Sequence, residues 1–161
     1  GAKIFSQIIP KVLIGIKQEY LKNLMIVQQT RKEDKTILES TYNKLNVKCI
    51  VKEFFDDVQN EIYNSDIVIA RCGASTLAEI EYCKKFSLLF PLPTAMDDHQ
   101  LENAKQFKKK NDCQIYNQNN IPYSKLRELL KSQLFYKNEI KTNLQESKKI
   151  SLIKFIDDII Q

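Results

Sequence analysis

Two segments of this chain combine residues that can bind a phosphate and a sugar. One runs from Arg71 to Glu79, and the other runs from Pro91 to Asn103. Each follows an apolar run that is typical of a buried strand, and each leads into a predicted helix. Because ligands of parallel α/β sheets bind beyond the carboxyl ends of the strands, we expect the two segments to form one pocket for a phosphate-bearing small molecule.

The first segment has the features of a phosphate site at the start of a helix. Gly73 lets the backbone turn tightly and lets a ligand approach it closely. The helix that follows directs N–H groups and a partial positive charge toward that ligand, and Ser75 and Thr76 add hydroxyl donors. The spacing of Thr76 and Glu79 also fits a capping box, which helices use without any ligand. On this pattern alone, the capping interpretation is slightly favoured.

The second segment begins with a stiff turn and ends in a group of polar side chains. Pro91 and Pro93 restrict the exit from the strand, and Asp98 is a candidate helix cap. The side chains that could read sugar hydroxyls follow at the predicted helix start: His99, Gln100, Glu102 and Asn103. Asp97, Asp98 and His99 could instead suggest a metal site, but consecutive residues rarely converge on one ion. Simple capping is the third interpretation, and in isolation the pattern favours it.

Strands and helices alternate along the chain and would position both segments. Short apolar runs predict strands at Leu24–Val27, Cys49–Val51, Asp66–Ala70, Phe86–Phe90 and Gln114–Tyr116. Apolar spacing near 3.6 residues predicts helices at Ile4–Ile16, Thr36–Leu45, Val58–Tyr63, Asp98–Lys110 and Leu152–Ile160, after Thr76, and from Ser124 onward. This order predicts one α/β domain with a mostly parallel, Rossmann-like sheet and helices on both faces.

The same spacing predicts which side chains the helices bury. The expected inward-facing residues are Ile37, Leu38, Tyr42 and Leu45; Leu77, Ile80 and Cys83; Leu101, Ala104 and Phe107; and Leu126, Leu129, Leu130 and Leu134. Pro10 is expected to kink or restart the first helix. In the last helix, we expect part of the stripe of Ile153, Ile156 and Ile160 to be exposed, although ordinary core packing fits the pattern equally well.

The composition narrows the class of protein. A chain of 161 residues with 43% hydrophobic residues fits one globular domain, and no apolar run reaches the roughly 20 residues of a membrane span. The net charge of +5 is carried mainly by scattered lysines, so no nucleic-acid partner is predicted. The four cysteines are far apart, and His99 is the only histidine. We therefore expect reduced, mostly buried thiols, and neither a metal nor a cofactor.

Taken together, the motifs are more specific than either segment alone. They comprise the run Asp66–Ile80, the pair Pro91-x-Pro93, the string Asp97-Asp98-His99-Gln100-x-x-Asn103-Ala104, and the shorter matches Gln28-Gln29-Thr30 and Phe54-Phe55-Asp56-Asp57. In order and spacing they closely resemble the MurG family, the bacterial N-acetylglucosaminyltransferases that make lipid II of peptidoglycan. The resemblance covers nearly the whole chain and is clearest from Phe54 to Ala104.

The resemblance implies a two-domain GT-B glycosyltransferase, of which residues 1–161 are the single C-terminal, donor-binding domain. The implied donor is UDP-N-acetylglucosamine, and its binding residues would be Phe55, Ala74, Ser75, Thr76, Leu77, Ala78, Glu79, His99 and Gln100. By position, the Phe55 backbone would meet the uracil, and Ala74 to Thr76 would lie at the nucleotide and diphosphate. Glu79 would accept hydrogen bonds from the ribose hydroxyls. Gln100, with His99, would bind the donor sugar.

The complete enzyme that the resemblance implies would transfer N-acetylglucosamine, with inversion, to undecaprenyl-pyrophosphoryl-muramyl-pentapeptide. A Gly-Gly-Ser-Gln loop and a first strand are expected immediately before Gly1, and an N-terminal domain would carry the acceptor site and the membrane surface. The enzyme would be peripheral at the cytoplasmic face of the bacterial inner membrane, whereas this segment alone would be soluble. No catalytic residue is expected in this chain, which alone would be inactive, and Arg71 is expected to be structural.

Two alternatives stay open at this stage. A donor subunit of a split, dolichol-type UDP-N-acetylglucosamine transferase would pair a similar domain with a separate membrane subunit. A non-catalytic remnant would keep only the fold. The Gly73–Thr76 string and the Asp97–Gln100 string favour the MurG family over the split enzyme, and an in-frame Gly-Gly-Ser-Gln loop upstream would distinguish the two.

Overall fold

Strands and helices alternate through the computed structural model of the chain, which describes residues 3–93, 98–141 and 150–154. The helices are α1 (Lys3–Leu13), α2 (Gln18–Leu21), α3 (Lys32–Lys44), α4 (Val58–Tyr63), α5 (Ala74–Cys83), α6 (Asp98–Lys108) and α7 (Tyr123–Lys141). The strands are β1 (Leu24–Gln29), β2 (Lys48–Lys52), β3 (Ile67–Ala70), β4 (Phe86–Leu89), β5 (Cys113–Ile115) and β6 (Ile150–Lys154). The predicted alternation is confirmed, and the short helix α2 is an addition to it.

All neighbouring strands of the sheet run parallel, in the order β2-β1-β6-β3-β4-β5. The crossover through α3 leads from β1 toward one edge of the sheet, whereas α5 and α6 lead from β3 toward the other edge. The winding direction therefore changes between β1 and β3, and β6 occupies the place between them. This order confirms the predicted parallel, Rossmann-like sheet.

Two apolar clusters, one on each face of the sheet, form the core. The first lies under α1, α3 and α7 and includes Phe5, Ile8, Leu38, Tyr42, Leu126 and Leu130. The second lies under α4, α5 and α6 and includes Ile62, Leu77, Ile80, Ala104 and Phe107. Successive strand residues alternate between the clusters, as Ile26 and Val27 do, because side chains of a strand point to opposite faces. Helices on both faces are confirmed.

Two side chains that we predicted to face inward point to solvent instead. Ile37 is 67% exposed and Leu101 is 38% exposed. The buried stripe of α3 is centred on Leu38 and Tyr42, and Ile37 lies about 100° around the helix from Leu38. Leu101 lies in the first turn of α6, which contacts loops rather than a strand. The Leu134 side chain lies outside the described part of the structure.

Two details of the helices also differ from the predictions: the effect of Pro10 on the first helix and the first residue of the helix near Ser124. Helix α1 runs through Pro10 without restarting, and the Ile14 N–H donates to the Pro10 carbonyl at 3.0 Å. Helix α7 begins at Tyr123, so Ser124 lies inside the first turn and is not the cap that we predicted. Both differences arise because apolar spacing locates the buried face of a helix better than it locates the end.

The predicted C-terminal helix at Leu152–Ile160 is wrong over its first part. Residues Ile150–Lys154 form β6, which pairs in parallel with both β1 and β3. A short apolar run fits a helix or a strand equally well. A central strand satisfies its backbone N–H and C=O groups on both sides, and this pairing favours the strand. Ile156 and Ile160 lie outside the described residues, so the exposed stripe stays a prediction.

A buried hydrogen bond joins α3 to β1. The Tyr42 hydroxyl donates to Gln28 Oε1 at 2.5 Å, and both side chains are fully buried. Burial raises the pKa of Tyr42 above its ordinary value, so the hydroxyl stays protonated and can donate. We expect Tyr42→Phe to lower the free energy of unfolding by about 2 kcal/mol, because Gln28 Oε1 loses its buried donor.

Urea denaturation measures this change. The matched control is Tyr63→Phe, which removes the hydroxyl of an exposed tyrosine. A loss for Tyr42→Phe no larger than that of the control would contradict a stabilising role for the Tyr42–Gln28 bond.

Candidate functional site

The two predicted segments meet at the carboxyl edge of the sheet. The loops after β3 and β4 lie side by side there, and α5 and α6 begin at the ends of these loops. The loop after β1 opens onto the same edge, across the point where the winding direction changes. In doubly wound sheets this point is the usual place for a ligand.

Helix α5 begins three residues earlier than a Thr76 cap would require. Its N-cap is Gly73, and the Leu77 N–H donates to the Gly73 carbonyl at 3.0 Å, closing the first turn. Thr76 is therefore the third helical residue, and the capping-box interpretation is wrong. Gly73 has φ −64° and ψ 146°, values open to any residue, so the turn itself does not require glycine.

A glycine N-cap gives this helix start its chemical character. Gly73 has no side chain that could accept from the N–H groups of the first turn, and no acidic residue lies in that turn. The first N–H groups of a helix have no carbonyl acceptor within the helix, and they carry the positive end of its dipole. The start of α5 is therefore suited to a negatively charged ligand group such as a phosphate.

The residues of α5 that are predicted to bind the sugar-nucleotide donor differ in which groups they present to a ligand. Ala74, Leu77 and Ala78 line a groove of about 310 Å³ between α5 and α6. Leu77 is buried and its N–H is taken by Gly73, whereas Ala74 and Ala78 are exposed. Thr76 is only 7% exposed. In the first turn, a ligand can therefore meet the backbone and the Ser75 side chain, whereas Thr76 is largely covered.

The remaining donor residues of the first segment are accessible. Ser75 is exposed, and Glu79 is half-buried in the second turn of α5. One helical turn has a rise of about 5.4 Å, so a ligand group at the start of α5 is within reach of a carboxylate in the next turn. Glu79 thus stays a candidate for a ligand group that extends from the predicted phosphate position.

Side chains from the first two turns of α6 hold the two loops together. Gln100 Oε1 accepts from the Cys72 N–H at 3.2 Å and from the Leu92 N–H at 3.1 Å. Asn103 Nδ2 donates to the Cys72 carbonyl at 3.2 Å. Gln100 is half-buried, and His99 is exposed beside it. The sequence had already identified Gln100 and Asn103 as candidate binding residues. They are three positions apart in a helix and so lie on the same face, which was the sequence signal that both side chains could face the loops.

The buried side chain of Arg71 also connects these two loops. It is 3% exposed, and its Nη1 donates to the carbonyls of Phe90 at 3.0 Å and Pro91 at 3.3 Å. Its guanidinium carbon lies 5.3 Å from the centre of the Phe5 ring, which places a cation over an aromatic face. Arg71 therefore joins the end of β3 to the end of β4, as expected of a structural cation.

The segment around Phe55 lies at the carboxyl end of β2. Gln29 Nε2 donates to the Glu53 carbonyl at 2.7 Å, which ties the end of β1 to this segment. Asp57 caps α4 by accepting from the Asn60 N–H at 2.9 Å. Phe55 is half-buried, with Lys52 Nζ at 5.4 Å from its ring centre. Three strand spacings separate β2 from β3, or roughly 14 Å, so Phe55 would meet a different part of an extended ligand from Ala74.

One hydrogen-bonded pair of side chains at this edge was not predicted from the sequence. Ser6 Oγ of α1 and Thr30 Oγ1, directly after β1, lie 3.2 Å apart. The Thr30 N–H also donates to the Lys52 carbonyl at 2.9 Å. Ser6 carried no sequence signal of its own, because a single serine on an amphipathic helix is ordinary. The pair fixes the start of α1 beside the end of β1.

The cysteines are free thiols, as expected, but only Cys72 and Cys113 are buried, whereas Cys49 and Cys83 are half-buried. Burial raises the pKa of the Cys72 thiol to about 12, although nearby Arg71 lowers it in part. Across the described residues, no group of three His, Cys, Asp or Glu side chains is close enough to hold a metal ion. Asp97, one of the three residues considered for a metal, lies outside them.

We expect Cys72 to resist alkylation by iodoacetamide in the folded protein at pH 8. Its pKa leaves very little thiolate, the reactive form, at that pH, and the side chain is fully buried. Cys83 is the internal comparison, because it is partly accessible on α5. Peptide mass spectrometry after timed labelling measures both rates. Modification of Cys72 as fast as Cys83 would show that the loop after β3 opens.

Within the helices that the structure describes, none combines the length and the hydropathy needed to cross a bilayer.

Comparison with known families gives a match over the whole chain. The family model described as the glycosyltransferase family 28 C-terminal domain matches residues 1–161.

Several bacterial proteins are similar to this chain. Those from Agrobacterium fabrum and Rickettsia bellii are 37% and 38% identical to it, over 83% and 80% of this chain and 35% and 36% of their own lengths. One from Wolbachia sp. subsp. Brugia malayi is 29% identical over 100% of this chain and 47% of its own length. All three are named UDP-N-acetylglucosamine–N-acetylmuramyl-(pentapeptide) pyrophosphoryl-undecaprenol N-acetylglucosamine transferase. The chain therefore spans about a third to a half of these relatives.

The fold is also similar to a solved structure. The crystal structure of Acinetobacter baumannii MurG matches with a TM-score of 0.69, covering 93% of this chain and 40% of that one. The sequence identity is 24%, so this likeness concerns the fold. It agrees with the parallel α/β architecture described above.

Proposed function

The chain belongs to the glycosyltransferase family 28 C-terminal domain family, and on this premise we propose that it is the donor-binding half of an N-acetylglucosaminyltransferase. The donor is UDP-N-acetylglucosamine, and the acceptor is an undecaprenyl-pyrophosphoryl-linked muramyl pentapeptide. The observation that carries the proposal is the start of α5, which has a Gly73 N-cap and no acidic residue in its first turn, next to the loop that Gln100 of α6 holds through the Cys72 N–H. The printed names of the relatives support the choice of substrates.

The proposed roles follow the chemistry of each group. The first turn of α5, Ala74 to Thr76, binds the diphosphate through backbone N–H groups. Glu79 accepts from the two ribose hydroxyls, as a carboxylate with two oxygens can. The Phe55 backbone contacts the uracil. Gln100, with His99 beside it, binds the donor sugar.

This half of the enzyme contributes electrostatic stabilisation to the reaction. The acceptor hydroxyl attacks the anomeric carbon and gives its proton to a base outside this chain, the bond from that carbon to the diphosphate oxygen breaks, and UDP leaves with additional negative charge. Helix α5 directs its positive end at that charge, and oriented N–H groups need no reorganisation as it develops. Such preorganisation lowers the barrier to departure of UDP.

The rest of the reaction belongs to parts of the enzyme outside this chain. We propose that residues 1–161 form one C-terminal domain and that another domain binds the lipid-linked acceptor at the cytoplasmic face of the membrane. The coverage of the relatives, about a third to a half of their lengths, is compatible with this division. Closure of two domains over the donor would exclude water and limit hydrolysis.

Calorimetric titration of the complete protein with UDP and with UDP-N-acetylglucosamine tests the proposal. Both should bind, and Ala74→Asp should weaken both at least about tenfold, because a carboxylate in the first turn of α5 repels the diphosphate. Ser124→Asp, which places the same charge in the first turn of α7, is the matched control. Absence of binding by either nucleotide would instead support a non-catalytic member of the fold.

A further inference from the structure

A groove on the surface of the domain lies between α4 and α5, away from the proposed donor site. Its volume is about 300 Å³, at the lower end of the range of small-molecule clefts. The residues that line it are Asp57, Gln59, Asn60, Tyr63, Tyr82 and Cys83. Tyr82 lies in the last turn of α5, roughly 12 Å along the helix axis from the first turn, which the proposed function places at the diphosphate.

Two tyrosine rings beside the groove are open to solvent. Tyr63 is 66% exposed and Tyr82 is 74% exposed. Lys85 Nζ lies 5.4 Å from the centre of the Tyr63 ring, a cation–π contact that restrains this ring. The Cys83 thiol donates weakly to the Gln59 carbonyl at 3.9 Å and connects the two helices. Each helix therefore contributes one exposed aromatic ring to a groove whose sides are joined.

The other side chains along the groove are two amides and one carboxylate. Asp57 Oδ1 accepts from the Asn60 N–H at 2.9 Å, so this carboxylate is engaged as the cap of α4. Asn60 Oδ1 accepts from Asn64 Nδ2 at 3.0 Å. Gln59 and Asn60 are both exposed, and each amide contains donors as well as an acceptor. The groove therefore offers hydrogen bonds of both kinds to a ligand.

This combination of groups favours one class of ligand. Among the described residues that line the groove, none is aliphatic, so a peptide segment finds no pocket for an apolar anchor. The one charged residue among them is Asp57, which disfavours an anion. A sugar ring has a face of C–H groups that packs against the negative face of an aromatic ring, and its hydroxyls pair with amides.

We propose that the groove between α4 and α5 is a binding site for a neutral saccharide. Tyr63 and Tyr82 pack against the sugar rings, and Gln59 and Asn60 form hydrogen bonds with the hydroxyls. The site goes beyond the proposed function and does not depend on it. Because the groove and the proposed diphosphate position are at opposite ends of α5, both can be occupied at once. The groove then holds a saccharide against the domain without contacting the reacting atoms.

Titration of the complete protein with three neutral trisaccharides tests the proposal, with saturation-transfer NMR as the readout. The probes are maltotriose, cellotriose and triacetylchitotriose. At least one should bind with a dissociation constant in about the millimolar range, as expected for an open groove that orders a flexible ligand. Excess UDP-N-acetylglucosamine keeps the donor site filled. Because the probes are neutral, their affinity should not change with added salt.

Substitutions at exposed positions locate the binding. Tyr82→Ala should weaken it about tenfold, whereas Tyr82→Phe keeps the ring and should bind nearly as well as the wild type. Gln59→Ala should also weaken it, because a donor and an acceptor are lost. Phe54→Ala, which removes a 72% exposed ring outside the groove, is the matched control. All three side chains are exposed, so the melting temperatures should stay close to that of the wild type.

Several results would overturn the proposal. One is the absence of binding by all three trisaccharides. Binding that Tyr82→Ala leaves unchanged would place the saccharide elsewhere, and binding that weakens with added salt would rule out a neutral mode of recognition. Failure of the wild type to bind UDP-N-acetylglucosamine would overturn the proposed function alone, because the comparison of Tyr82→Ala with Phe54→Ala needs no donor.

Discussion

Replacement of Glu79 by alanine should weaken the binding of UDP and UDP-N-acetylglucosamine by roughly a hundredfold, because two charge-assisted hydrogen bonds to the ribose are lost. Glu79 is half-buried and lies one turn beyond the start of α5, the part of the helix that we propose binds the diphosphate. The effect should be similar for both ligands, since both carry the same ribose. Calorimetric titration of the complete protein measures it.

The matched control for this prediction lies on the same helix. Glu81→Ala also removes one carboxylate from α5, but Glu81 is exposed and bonds Asn111 at 3.2 Å, away from the start of the helix. A second comparison uses 2′-deoxy-UDP, for which Glu79→Ala should cost much less because one of the two ribose donors is already gone. Equal affinity of Glu79→Ala and wild type for UDP would refute the ribose assignment.

Arg71→Met should lower the free energy of unfolding by about 3 kcal/mol, the largest stability effect that we expect from one side chain of the site. The buried guanidinium donates to the Phe90 and Pro91 carbonyls and packs over Phe5. Methionine fills similar volume but supplies no donor, so two carbonyl groups in a buried setting lose a charged partner. Urea denaturation at constant pH measures the loss.

Two further variants sharpen the Arg71 prediction. Arg71→Lys should recover only part of the stability, because one ammonium group lacks the planar shape that reaches both carbonyls and stacks over the ring. Arg31→Met, at an exposed arginine, should change the stability by no more than about 0.5 kcal/mol. If Arg71→Met were as stable as Arg31→Met, the junction between the two loops would not depend on Arg71.

Much of the fold was predictable because its signals are local. The apolar run that becomes β3 and the amphipathic spacing of Leu77 and Ile80 are visible within a few residues of each other. Their order along the chain predicts parallel neighbours, because a strand, a helix and a strand can pack only in few ways. The same locality explains the errors. Periodicity does not fix a helix end, so α5 begins at Ala74 and not after Thr76.

Sequence by itself determined that the loops after β3 and β4 face the same edge, because hydrophobic runs and helix starts are short-range properties of the chain. Only the tertiary structure decided that Gln100 Oε1 accepts from the N–H groups of Cys72 and Leu92, which are 28 and 8 residues away in the chain. It also decided that Arg71 is buried beneath these loops and that β6 lies between β1 and β3. Such contacts depend on which strands become neighbours, and no local pattern of residue types encodes that choice.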